Sequence, residues 1–241
     1  MTLTTLQNLE RVRIKSSNTS MQKAESTILT TKSMLRKSKI NEFWAWFRNN
    51  AGTLASDTRN PVLLCELDRR VNNLAQALSW EIGPGQSKPW QFVLSPDLDR
   101  DFRDLARSIV GSAPDLIDWE FYSARQPKDW DYKFELVGET SEANIAIDAA
   151  NWTFVLLQYP DGFRKVLLKA PELPTFGKDE RWRAGAIVLE SILGEDAFLD
   201  KIGNFELLTK LEPQFAEKER PIQLLGSAIL GDQESTVLTS D

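Results

Sequence analysis

Three polar side chains stand out for the chemistry they could do together: Glu81, Glu120 and Arg125. Each lies on or beside a segment that reads as a strand, and each has a tryptophan near it, Trp80, Trp119 and Trp130. Two carboxylates and a guanidinium beside aromatic rings could exchange a proton with a bound molecule or hold a small ligand. The plainer reading is a cross-strand ion pair on a solvated face, worth under ~1 kcal/mol. No catalytic residue is therefore assigned, and these six residues are kept as candidates for binding a ligand or a partner.

A second acidic group, Asp97, Asp99, Asp101 and Asp104, could offer oxygen ligands to Mg²⁺ or Ca²⁺. The run lacks the glycine and the distal glutamate of a calcium loop, and Arg100 and Arg103 interrupt it. Acids in the first turns of a helix also suit the positive end of its dipole, which accounts for them without a metal. No metal site and no cofactor are expected.

The chain has no histidine. That removes the usual general base near neutral pH, the Ser-His and Cys-His nucleophile pairs, and imidazole as a metal ligand. The single cysteine, Cys65, sits in the apolar run VLLCEL and is expected to be a buried core thiol. One cysteine cannot close an intrachain disulfide, which suits a reducing compartment. No phosphate-binding glycine loop, dinucleotide fingerprint or nucleophile elbow is present.

Charge is unevenly spread. Residues 1–40 carry +6 and residues 41–241 carry −12. An acidic body disfavours nucleic acid, whose binding rests on Lys and Arg, and favours a basic protein partner. No run reaches the ~18 apolar residues of a membrane-spanning helix, and the N-terminus lacks the apolar core of a secretory signal. A cytoplasmic protein is expected. The first 22 residues are polar and read as a mobile basic tail, with a transit segment as the alternative.

To bring Glu81, Glu120 and Arg125 together, residues 78–130 must form the centre of the fold. They read as strand, hairpin, strand, helix, strand. Trp80 and Ile82 precede the turn Gly83-Pro84-Gly85, and Trp90, Phe92 and Leu94 alternate after it. Asp99–Gly111 reads as a helix with Phe102, Leu105, Ala106 and Ile109 on one stripe, and Trp119 and Phe121 open the next strand. Before this unit, helices are predicted over 24–50, ending near Ala51-Gly52, and over 62–78. After it, strands are predicted at 132–137, 143–149, 152–159 and 164–169, with Asp161-Gly162 turning a hairpin. A helix over 179–193 should turn Trp182, Ala186 and Leu189 inward. A turn at 197–202, a strand at 205–208 and an ambiguous piece at 220–230 follow. No internal repeat is visible. The fold class is α+β, a mainly antiparallel sheet with packed helices, an N-terminal helical segment and a mobile N-terminal tail. The expected organisation is a tail over 1–22, a core domain over 23–170, a helix-strand extension over 171–232 packed on it, and a frayed end over 233–241.

Several short runs carry a resemblance. They are F-W-A-W-F at 43–47, L-S-W-E-I-G-P at 78–84, V-L-S-P-D at 93–97, A-P at 113–114 with W-E-F at 119–121, A-R-Q-P at 124–127, S-I-L-G-E at 191–195 and I-G-N-F-E at 202–206. Over roughly residues 40–210 the chain resembles a widespread group of uncharacterised bacterial proteins. Some members of that group are thought to be immunity or accessory factors. The resemblance implies no established activity. Two departures from the pattern are Asp97-Leu98 in place of an Asp-Gly turn, and the basic leader.

The function expected from all this is a non-enzymatic, immunity- or adaptor-type binding module with an acidic, aromatic-rich surface for a basic protein. The alternatives are a carboxylate-dependent enzyme or small-ligand binder around Glu81, Glu120 and Arg125, and a structural subunit docking through its basic leader.

Overall fold

A computed structural model describes residues 34–137, 144–171, 173, 177–231 and 236–237. The expected tail over 1–22 and the first residues of the predicted helix 24–50 lie outside them, as does most of the expected frayed end. The chain mixes helices with mainly antiparallel sheets, as its sequence predicts.

Helix α1 is described over 34–56. Ile40, Phe43, Trp44, Phe47, Ala51 and Leu54 recur at helical spacing and are all buried. The helix runs through Gly52, past its expected end, because Leu54 continues the inward stripe and a side chain at 52 would meet only open space. Helix α2, Pro61–Leu74, is capped by Asn60, whose side chain accepts from the N–H groups of Val62 and Leu63. Its inward residues are Leu67 and Val71. Cys65 is exposed, not buried as expected. It sits two positions from Leu67, about 200° around the helix, and so on the opposite side.

Strands β1 (Ser79–Pro84) and β2 (Trp90–Ser95) form the expected hairpin, with Ile82 opposite Phe92. Helix α3, Arg100–Val110, crosses back to β3, Trp119–Tyr122, which pairs parallel to β2. Phe43, Trp44, Phe47, Phe92, Trp119 and Phe121 close this core with ring centroids 4.8 to 6.5 Å apart. The Trp44 indole N–H reaches the Ile109 carbonyl at 2.8 Å, which ties α1 to the end of α3. Each such buried aromatic contributes on the order of 2–3 kcal/mol.

A small hairpin follows, β4 (Lys133–Val137) with β5 (Asn144–Asp148). Strands β6 (Thr153–Gln158) and β7 (Arg164–Lys169) are antiparallel across the predicted Asp161-Gly162 turn, where Gly162 has φ 84°. Helices α4 (Lys178–Leu193) and α5 (Glu195–Lys201) then carry the chain to β8, Asn204–Leu208, which is parallel to β7. The segment expected to be a turn at 197–202 is thus largely α5. The strand-hairpin-helix-parallel strand order of β1 to β3 recurs in β6 to β8, a topological repeat that no residue similarity announces. The last pieces are β9 (Arg220–Pro221), α6 (Leu225–Leu230) and β10 (Thr236–Val237), with β9 and β10 both on β6.

A second core lies under β6 to β8, filled by Phe154, Leu168, Val188, Leu189, Ile222 and Leu225. Helix α4 packs close enough that a methyl at Gly185 would sit 2.5 Å from the Phe205 ring. Trp182, expected inward, is 51% exposed. The helix buries Ala184, Gly185, Ala186, Val188 and Leu189 instead, and those five fix its phase.

Candidate functional site

The two cores meet across a polar seam, and the seam begins at the turn that follows β2. Asp99 donates its N–H to the Pro96 carbonyl at 3.0 Å, closing a turn whose central residues, Asp97 and Leu98, have φ 54° and 63°. Left-handed backbone is uncommon for leucine, so surrounding contacts must hold it. Glu195 supplies them. It stands at the first position of α5, is fully buried, and reaches across from the other core. One carboxylate oxygen accepts from the Leu98 N–H at 2.8 Å and from the Ser95 hydroxyl at 2.9 Å. The other accepts from the Arg125 N–H at 3.0 Å. The Ser95 oxygen in turn accepts from the Asp97 N–H at 2.9 Å. Gly194, with φ 76°, lets the chain enter α5 here, and a methyl on it would lie 2.8 Å from the Pro127 ring.

Arg125 occupies the middle of the seam with 16% of its side chain exposed. Its Nε donates to Glu81 at 2.7 Å and one terminal nitrogen to Glu190 at 3.0 Å. The other donates to the Ser79 hydroxyl at 2.7 Å and to Asp97 at 3.0 Å. Burial works to lower the guanidinium pKa, but Glu190, Asp97 and Glu81 outweigh it and hold it above its ordinary value. Burial raises the Glu190 carboxyl above the usual carboxylate range, and Arg125 offsets only part of that. An open cleft of about 410 Å³ lies here, lined by Glu81, Asp97, Arg125 and Glu190 together with Lys128, Trp182 and Arg183.

Beyond the turn, α3 sorts its charges. Arg100 donates to the Ile202 carbonyl at 3.2 Å. Arg103 bonds Asp196 at 2.8 Å and takes both oxygens of Asp200, and Arg107 bonds Asp196 at 3.1 Å. Arg103 holds the Asp200 carboxyl below its ordinary pKa. All three arginines thus face α5. Asp101 and Asp104 are left on the outer side, exposed, beside a shallow groove of about 310 Å³ with Phe102, Leu105 and Arg36.

Of the six residues singled out by sequence, Glu81 and Arg125 meet. Glu120 does not join them, because β2 lies between β1 and β3. Its carboxylate instead takes the N–H groups of Gln86 and Ser87 and the Ser87 hydroxyl, which lowers its pKa, the hydroxyl first. It thereby fixes the turn before β2. Trp119 is 2% exposed, packed on Phe47 and Trp90, and has no face for a ligand or partner. Trp80 is half-buried, its indole N–H 3.2 Å from Asp68. Trp130 is half-buried against Tyr132 and Phe134 and lies outside the Arg125 cluster. Sequence reasoning missed Ser79, Ser95, Glu190 and Glu195, which lie up to a hundred residues from their partners. One signal pointed there: the runs quoted at 78–84, 93–97, 124–127 and 191–195 each place residues in this network. Among the described residues, no cluster of three or more carboxylates or thiols could hold a metal ion. Also among them, no helix is long and apolar enough to cross a membrane.

No protein-family model matches this chain, and comparison with curated proteins and with solved structures finds no match.

Proposed function

We propose that this chain is a non-enzymatic binding module of the immunity or adaptor type, which receives a basic protein on the outer, acidic side of α3. The observation that carries this reading is the sorting of charge on that helix. Its three arginines are engaged by α5 and the Ile202 carbonyl, while Asp101 and Asp104 are exposed on an adjoining side of the helix, in a groove whose lining includes Phe102, Leu105 and the cation Arg36. A cationic surface would meet carboxylates there without displacing an internal partner, and half-buried apolar groups beside them add contact area. The Arg125 and Glu195 cluster serves as the frame that aims α3. The setting we propose is a reducing cytoplasm.

The test is cross-linking with mass mapping on the full chain in lysate of its source cell. The reading expects basic proteins joined at residues 101–108, with fewer cross-links formed as salt rises, and none in a variant carrying Asp101→Lys and Asp104→Lys. Cross-links that ignore the double reversal, or that gather elsewhere on the surface, would defeat it.

A second reading has one observation in its favour. Glu190, with its raised pKa, lies in the 410 Å³ cleft with Glu81 and Trp182, as a general acid acting on a small bound molecule would. Against it, Arg125 already directs its donors at Glu81, Glu190, Ser79 and Asp97. A crystal soaked with a candidate ligand that left the cleft empty would count against this reading.

A further inference from the structure

The sheet built on β6 and β7 ends at β8, and the outer edge of β8 has no strand partner among the described residues. Between that edge and α4 lies a cleft of about 340 Å³, whose lining includes Lys178, Trp182, Phe205, Glu206, Leu207 and Leu208. Phe205 and Leu207 are buried and form its floor. Trp182 is its wall, half-exposed, with its ring 6.0 Å from that of Phe205. Soluble proteins guard open edges with prolines, bulges or free charges. β8 has no proline, and its one charge, Glu206, is held at 2.6 Å by Lys165 of the neighbouring strand; the Phe205 N–H donates to the Asn204 side-chain oxygen at 2.8 Å, a bond that an added strand would have to work around. Lys178, at the mouth of the cleft, forms no ion pair among the described residues and is exposed.

We propose that this edge and cleft dock an extended segment of a partner protein, added to the sheet beside β8. One apolar side chain of the segment enters against Trp182 and Leu207, and an acidic side chain meets Lys178. Main-chain bonds to an open edge give affinity, and alternate side chains in a pocket give selectivity. A second copy of this chain fits less well. β8 paired antiparallel with itself about Glu206 would set two Glu206 carboxylates opposite each other, an unfavourable pairing. The site is separate from the acidic side of α3 and does not depend on the function proposed for it.

The experiment titrates the full chain with a capped peptide, acetyl-Glu-Val-Thr-Val-Glu-amide, and follows backbone amide NMR signals. Saturable shifts should gather at residues 178–182 and 204–208, with a Kd on the order of 1 mM. Trp182→Ala, at a half-exposed position, should weaken binding about fivefold while an unchanged amide spectrum away from residues 178–208 shows that the fold is kept. Replacing both glutamates of the peptide by lysine should weaken it about threefold. Two N-methylated peptides, each blocking one edge of the strand, should differ, one binding and the other not. Equal binding by both, or no shifts up to about ten times that Kd, overturns the proposal. So do β8 shifts that follow protein concentration without peptide, which would give the edge to a second copy.

Discussion

Replacing Glu195 tests how the two cores are joined. Glu195→Ala leaves three donors, the Ser95 hydroxyl and the N–H groups of Leu98 and Arg125, without their acceptor in a buried place. Each buried donor left unpaired costs about 1–2 kcal/mol, and water entering the gap recovers part of that. The expected loss is about 4 kcal/mol, a large share of a total of roughly 5–15 kcal/mol. The left-handed backbone at Asp97 and Leu98 also loses the contact that holds it. Glu195→Gln keeps one oxygen for Ser95 and Leu98 but sets an NH₂ against the Arg125 N–H, and should cost about 2 kcal/mol. Urea unfolding followed by tryptophan fluorescence is the assay. With a slope of about 3 kcal/mol/M, the alanine variant should lose about 1.3 M from its midpoint. A loss under about 1 kcal/mol in the alanine variant would refute the reasoning, because surface changes alone reach about half that.

Other outcomes follow from the same geometry. Gly194→Ala should cost about 2 kcal/mol in the same assay, since φ is 76° and the methyl meets Pro127. Glu190 has a raised pKa, so the fold binds its proton more readily than the unfolded chain does. Stability should therefore rise as pH falls from neutral toward the ordinary carboxylate value, and Glu190→Gln should remove that rise. Asp200 behaves oppositely. Its lowered pKa adds stability that is present above its unfolded value and lost as pH falls below it, and Arg103→Ala should flatten that acid limb. The pair Asp101→Lys and Asp104→Lys should cost about 1 kcal/mol of stability, since Asp101 lies in the first turn of α3, while leaving the chain folded and abolishing capture of a basic partner.

Local patterns in the sequence specified the local structure well. The β1–β2 hairpin, α3, the Asp161-Gly162 turn and the strands on both sides of it lie close to where alternation, turn residues and a helical stripe put them. What escaped were matters of phase and distance. Cys65 sits inside an apolar run, but only Leu67 and Val71 of α2 are buried, so the run misleads about direction. α4 is apolar around much of its surface, so its pattern could not say that Trp182 faces out. The Glu81–Arg125 contact was legible because a hairpin and one crossover join the two. Glu190 and Glu195 were not, since their partnership with Arg125 and Ser95 depends on how two separately built cores dock. Glu120 was misplaced for a simple reason: strand order, which sequence does not print, put β2 between it and Glu81.

The buried carboxylate of Glu195 clamps the 96–99 turn to α5, and the joining of the two cores rests on that clamp. Hydrogen exchange read at single amides addresses it directly. The Leu98 and Arg125 amides, though they lie in connecting segments, should exchange as slowly as the β2 amides and speed up together in Glu195→Ala. Exchange of the Leu98 amide at the rate of an open loop in the native chain would contradict the clamp.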